Sequence, residues 1–214
     1  MPKLKPATQA ARRGHILDAA ERSFARAGFH RTTMQDICKE AGVSPGALYV
    51  YFASKEALIA GIAERDRKEF ARRFAELAAA PDFLAALGHL GQHYFVDEPA
   101  HKRLMCVEIG VESTRNREVG EIFRGVDGFV LSSFEKLFQR LEDEGRIDPT
   151  LDIPTLARVF ALIGDGMFWR RATDPAFDAK AILPAVTSII ASLINPKSGP
   201  PSTPTLTRKS KADA

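Results

Sequence analysis

Thr33, Ser44, Tyr49, Tyr51 and Lys55 crowd into one short stretch, GFHRTTMQDICKEAGVSPGALYVYFASKEAL at residues 28–58. Their types suit phosphate recognition. Hydroxyl, phenol and ammonium groups all donate hydrogen bonds to phosphate oxygens. Thr33, Ser44 and Lys55 also stand where helices are expected to begin, and there backbone N–H groups and the helix dipole favour an anion. Between them, Pro45, Gly46 and Ala47 carry no long side chain. Small residues let a helix approach a nucleic acid closely. Gly46 and Ala47 offer no paired donors to a base edge, so any sequence preference would rest on thymine methyl contacts and duplex shape.

The elements that must position these groups are short helices. Thr33 is expected to cap one, with Asp36 as the acidic partner of a capping box. Gly42 supplies a left-handed end to that helix. Ser44 and Pro45 open the next, about Pro45–Val50, because proline loses nothing at a first helical position. Ser54 caps a third, with Lys55 and Glu56 in its first turn. Helix, glycine-containing turn and helix is the helix-turn-helix arrangement. A preceding helix, Gln9–Ala27, has Ile16, Leu17, Ala20, Phe24 and Ala27 at spacings of three and four, and Gly28 ends it. Met34, Ile37, Val43, Leu48 and Phe52 are expected to close a small core with Phe24 and Phe29.

The run Gly42–Leu58, GVSPGALYVYFASKEAL, closely resembles the tetracycline-repressor (TetR) family of transcriptional regulators. So does the upstream run Ala19–Phe29 with Thr32 and Thr33. The likeness covers roughly the first 60 residues; Cys38 departs from it, where the family usually has alanine. It implies that Thr33, Ser44, Tyr49, Tyr51 and Lys55 match phosphate-contacting positions, and that Pro45, Gly46 and Ala47 lie where the family approaches bases. Arg12 and Arg13 would add contacts from an N-terminal arm.

Charge is distributed to match. Residues 1–55 carry nine Lys and Arg against four Asp and Glu, residues 56–195 carry 17 against 22, and residues 196–214 carry four against one. A basic head on an acidic body is what a nucleic-acid reader joined to a different domain shows. The 214 residues suffice for one large or two small domains. The expected division is a DNA-binding domain at 1–54 with a flexible arm at 1–8, a ligand-binding and dimerisation domain at 55–195, and a disordered basic tail at 196–214. No apolar run is long enough to span a bilayer, and the basic N-terminus lacks the apolar segment of a signal peptide. Cys38 and Cys106 give no disulfide framework, which places the chain in a reducing cytoplasm.

Beyond residue 55 the pattern predicts six more helices, making the fold all-α: Lys55–Ala79, a fifth from the Asp82 cap to Phe95, Ala100–Ser113, Arg117–Glu144, an eighth to Ala172 and a ninth to Ile194. Pro184 implies a kink or a later start in the last. Helix eight is apolar nearly all round, with Gly164 and Gly166 allowing close approach. Helix nine offers Ile182, Val186, Ile189, Ile190, Leu193 and Ile194. Together they suit either a homodimer through a four-helix bundle or the monomer core.

Helices five to eight are expected to enclose a small-molecule site with apolar walls and few polar anchors. Its candidates are His93, Met105, Glu108, Ile109, Glu112 and Phe123, then Asp127, Phe134, Asp165 and Trp169, with His89, Tyr94, Met167 and Phe168 beside them. Each also suits a helical core, which is the reading its residue type alone favours. Glu108 and Glu112 share a helix face, as do His89 and His93; the acids fit an acid pair, a solvated edge or partners for Arg115. No metal or other cofactor is expected, because His89, His93, His101 and Cys106 lack ligand spacing. No phosphate loop, nucleophile elbow or zinc-protease motif points to an enzyme. The resemblance implies a homodimeric repressor of a palindromic operator, released by a small hydrophobic, aromatic or cationic inducer, and typically controlling an efflux pump or a catabolic operon. Fatty acyl compounds fit an apolar helical cavity equally well. The alternative is a ligand-independent architectural or partner-regulated DNA-binding factor.

Overall fold

The computed structural model describes residues 6–197. Most of the expected flexible arm and basic tail therefore lies outside the described residues. Within them the chain forms α1 (Pro6–Ala27), α2 (Met34–Ala41), α3 (Pro45–Tyr49), α4 (Lys55–Ala79), α5 (Phe83–Gly91), α6 (Ala100–Glu112), α7 (Arg117–Asp143), α8 (Ile153–Thr173) and α9 (Ala179–Ile194). The class is all-α: among the described residues only a single bridge, Ile147 to Pro196, is sheet-like.

Local chemistry fixes most boundaries. The Thr33 hydroxyl accepts from the Asp36 N–H at 3.1 Å, and the Asp36 carboxylate accepts from the Thr33 N–H at 3.0 Å, completing the capping box. Gly42 ends α2 at φ 60°. Ser44, Ser54, Asp82, Asn116, Asp152 and Asp178 each cap the helix that follows. Each such cap stabilises its helix by about 1 kcal/mol.

Two elements differ from the sequence expectation. The fifth helix does not run on as α-helix to Phe95. It widens into a π-helical segment, Gln92–Asp97, closed by the Glu98 N–H on the His93 carbonyl at 3.0 Å. Gly91, just before it, packs so tightly that a Cβ there would lie 2.8 Å from Leu183 of α9. Of the two alternatives for Pro184, the later start is not taken: α9 begins at Ala179, and the ring sits on the exposed face of the second turn, where the lost hydrogen bond is cheap to solvate.

Two apolar cores result. The first joins Ile16, Leu17 and Phe24 of α1 to Phe29, Ile37, Leu48 and Phe52, and takes in Leu58 and Ile62 from the start of α4. Fully burying such a side chain contributes about 1.5–3 kcal/mol. The second packs Phe74 and Leu77, at the far end of α4, against Leu87, Phe138, Leu156, Phe160 and Ile194. α4 therefore has one end in each core. Between them its middle carries Arg65, which reaches Asp18 of α1 at 2.7 Å and also bonds the buried Glu21.

Candidate nucleic-acid interface

The α2–turn–α3 unit is held by its inner face and bare on its outer one. Leu48 is the anchor of α3, fully buried in the first core. Ser44, Pro45, Gly46 and Tyr49 are exposed, and a Cβ on Gly46 would meet nothing within 4 Å. Ala47 is half-buried and Tyr51 packs partly against the core. Thr33 and Ser44 already serve as caps, at the exposed starts of α2 and α3. Val50, at 79% exposed, was not expected here. Its apolar side chain beside Tyr49 can meet a thymine methyl. Gln35 and Lys39 of α2 are exposed on the same unit. Only burial separates these three from their neighbours, and burial is not readable from local sequence.

Lys55 is not a free phosphate donor in this structure. Its ammonium donates to the Phe29 carbonyl at 2.5 Å and lies 4.1 Å from the Phe29 ring centre. Arg13 is likewise engaged, with Glu64 at 3.1 Å and over the Phe52 ring. Arg22 and Arg26 both bond Glu40 and hold its carboxyl below the usual range. Arg12 is exposed.

The loop before α2 is clasped from the body. The Phe29 N–H donates to Glu108 Oε1 at 2.8 Å. His30 Nε2 lies 2.8 Å from Glu112, which is buried. Asn116 donates to Glu56 at 3.1 Å. Gly28, at φ 78°, is required twice over: by its left-handed backbone and because a Cβ would stand 2.7 Å from Glu108 Oε1.

The remaining ligand candidates do not converge on one cavity. Glu108 and Glu112 share a face as expected, and that face packs on α1 and the loop, where their carboxylates meet the Phe29 N–H and His30. Met105 and Ile109, on the same side of α6, close the first core. Phe134 is a keystone of the second, its ring 4.9 Å from Phe74 and 5.0 Å from Phe160. Phe123 and Trp169 are exposed. His93 lies 3.7 Å from Glu98 and edge-on to Tyr94. Asp127 and Asp165 are both exposed, and desolvation, then the nearby Asp127, raises the Asp165 carboxyl.

The cysteines are both free: Cys38 is buried in α2, and Cys106 is exposed on α6. Among the described residues no three metal-ligating side chains cluster, and no helix is long and apolar enough to cross a membrane.

α8 and α9 each bury one stripe and bare another. Leu156, Phe160 and Met167 face in, and Leu162 and Trp169 face out. On α9, Ile190 and Ile194 are buried, whereas Ile182 and Ile189 are exposed.

Residues 16–62 match the family model described as bacterial regulatory proteins, tetR family. The HTH-type transcriptional regulator UidR of Escherichia coli (strain K12) is 30% identical over 154 residues, which are 69% of this chain and 74% of that protein. The fatty acid metabolism regulator protein of Bacillus subtilis (strain 168) is 25% identical over 195 residues, 85% of this chain and 95% of that one. Among solved structures, Salmonella enterica GusR aligns with a TM-score of 0.75 at 28% identity, covering 90% of this chain and 98% of its own. A SmeT–triclosan complex aligns with a TM-score of 0.71 at 25% identity, covering 90% and 96%.

Proposed function

Because the chain belongs to the tetR family of bacterial transcriptional regulators, we propose that it is a homodimeric repressor that reads an inverted-repeat operator with α2 and α3 and leaves it when a small molecule binds the body. Residues 1–54 form the reading head, 55–195 the effector and dimerisation body, and 196–214 a basic tail; the protein acts in the cytoplasm, where operator DNA lies. The observation that carries this reading is the bare outer face of α3: Ser44, Pro45, Gly46, Tyr49 and Val50 exposed around one buried anchor, Leu48.

Five residues of helix read too few bases alone, so the exposed stripes of α8 and α9 are read as the dimer face. Two-fold symmetry would place the heads about 34–36 Å apart, one turn of duplex. A small effector in the body finds a precedent in the triclosan complex of SmeT. The clasp from Glu108 and Glu112 supports a mechanical route: whatever displaces α6 displaces the loop that sets the pitch of α2. A coupling of about 1–3 kcal/mol would weaken operator binding roughly 5–150-fold. The dispersal of the expected cavity residues favours, as a second reading, a factor that needs no ligand. Titrating a ligand with and without operator separates the two, since linkage requires unequal affinities in a ligand-released repressor.

The test of DNA reading is a gel-shift titration on the gene's own upstream region against random duplex. Preference for the former, falling steeply with salt as counterions are released, is expected. Equal affinity for both would overturn the reading. Gly46→Ala sharpens it: open space around Gly46 means the fold tolerates the methyl, so lost operator affinity reports close approach to DNA.

A further inference from the structure

A buried cation without a counter-charge costs stability, so its presence calls for a use. Two arginines stand where α6, α8 and the π-helical segment meet, Arg103 buried and Arg171 half-buried. Arg103, in the first turns of α6, is 5% exposed. One Nη donates to the Glu98 carbonyl, and its Nε is buried with no partner among the described residues. Arg171, in the last turn of α8, also has a buried Nε without a partner. The two guanidiniums work against each other: burial, then Arg171, holds Arg103 below the usual guanidinium range. Glu98 alone offsets this, and its carboxylate is already shared by Lys102 at 3.3 Å and His93 at 3.7 Å.

The helix dipole does not explain the arrangement. Arg171 gains from the carboxyl-terminal end of α8, but Arg103 stands at the amino-terminal end of α6, where a cation is disfavoured and an anion favoured. That thirteen-residue helix starts after Pro99 with no side-chain cap and no acidic residue in its first turn. Its first N–H groups have no side-chain partner, and Arg103 folds back from the same turn to the Glu98 carbonyl. Beside it the Phe95 and Phe168 rings meet edge to face at 5.6 Å, with Phe95 lying over Gly164. π-Helical turns such as the one carrying Phe95 recur at functional sites.

We propose that Arg103, Arg171 and the uncapped start of α6 bind the head group of an anionic effector, a carboxylate or phosphate on an apolar body lying along Phe95 and Phe168. The proposal deepens the reading of the body as an effector domain and rests on it. It also replaces the expectation of a cationic inducer: the net acidity of residues 56–195 is carried elsewhere, while the local site is doubly positive. Drawing α6 towards α8 would act on Glu108 and Glu112 further along the same helix, and so on the head.

The experiment uses the full chain, its Arg103→Gln and Arg171→Gln variants, and matched probes by calorimetry: 2-naphthoate against 2-naphthamide, decanoate against decanamide, and decyl phosphate against decanol. In the wild type at least one acid should bind about tenfold or more tighter than its neutral partner, as charged hydrogen bonds allow. Carboxylate and phosphate arms identify the preferred head group. Either variant should lose most of that preference while binding operator as the wild type does. Neutral partners that bind as tightly as the acids, variants that keep the preference, or no binding by any probe would each overturn the proposal. Arg103→Met without ligand supplies a separate check. It should melt at or above the wild-type temperature, and a clear drop would make Arg103 a structural strut instead. Loss of operator preference by the wild type would count against the regulator reading alone, because the acid-to-amide ratio is measured without DNA.

Discussion

Two arginine sites in this protein are treated in opposite ways. Where α1 crosses α4, Arg65 is 27% exposed and has three carboxylates: Asp18 at 2.7 Å, Asp66 at 3.3 Å and the buried Glu21. Where α6 meets α8, Arg103 is 5% exposed and, among the described residues, has no carboxylate within salt-bridge distance; Glu98 acts on it only from farther off, against a second arginine. The first site is finished, and its ions hold the head against its connector. The second is incomplete by one anion. Burial depth alone therefore says little about what a charge does; the inventory of its partners separates a joint from a receptor.

The largest effect should come from breaking the finished site. Arg65→Met strips the buried Glu21 of its close partner and leaves only His101 within salt-bridge distance, at 4.0 Å, which costs about 3–5 kcal/mol when the carboxylate stays charged. Urea unfolding at pH 8 measures it, and a cost no larger than that of Arg103→Met would erase the contrast between the two sites.

Next comes its pH dependence. Burial raises the Glu21 carboxyl from 4.5 to about 7, even against Arg65. The folded state thus holds this proton over a range where the unfolded chain has released it. Glu21 adds stability below its unfolded value, and that contribution is lost as pH rises from about 4.5 to about 7. Relative to Glu21→Gln, the wild type should lose about 2–3 kcal/mol between pH 5 and pH 8. A constant difference between the two proteins would mean that the carboxyl titrates normally.

The apolar faces repeat the contrast at lower cost to the fold. Ile190 is buried within the monomer, and Ile189, its neighbour, is exposed. Ile190→Asp should unfold the chain. Ile189→Asp should leave its helicity intact and reduce the mass by light scattering from twice 23.5 kDa to 23.5 kDa. A wild type that scatters as a monomer at micromolar concentration would remove α8 and α9 as a dimer face. The smallest effect belongs to the caps: Thr33→Ala should cost about 1 kcal/mol in thermal unfolding. α6 has no such cap to lose.

These contrasts also mark where the sequence is legible. Thr33 with Asp36, Ser44 with Pro45, Ser54, Asp152 and Asp178 could all be placed because a cap is decided within three or four residues. The span Lys55–Ala79 could be placed for the same reason. The dispersal of Phe134, Met105, Ile109, Glu108 and Glu112 could not. Spacing puts Glu108 and Glu112 on one face of a helix, but which neighbour that face meets is settled by helices far away in the chain. In AHKRLM, Arg103 is indistinguishable from a solvated lysine-rich turn; its burial arises only from the approach of α8. Ile189 and Ile190 are the same residue type at adjacent positions, and only the packing of α9 tells them apart.

The clasp on Phe29 grips main chain: an acid from α6 takes its N–H, and an ammonium from α4 takes its carbonyl. No ordinary replacement of the Phe29 side chain removes either atom. A mutational scan of this junction would flag Gly28, Lys55 and Glu108, but at position 29 it would report the loss of the buried ring rather than of the main-chain atoms they hold. Only proline at position 29 deletes the donor itself. The two main-chain bonds are thus masked from genetics by the side chain that shares their residue, and exchange of a single amide proton reads them directly.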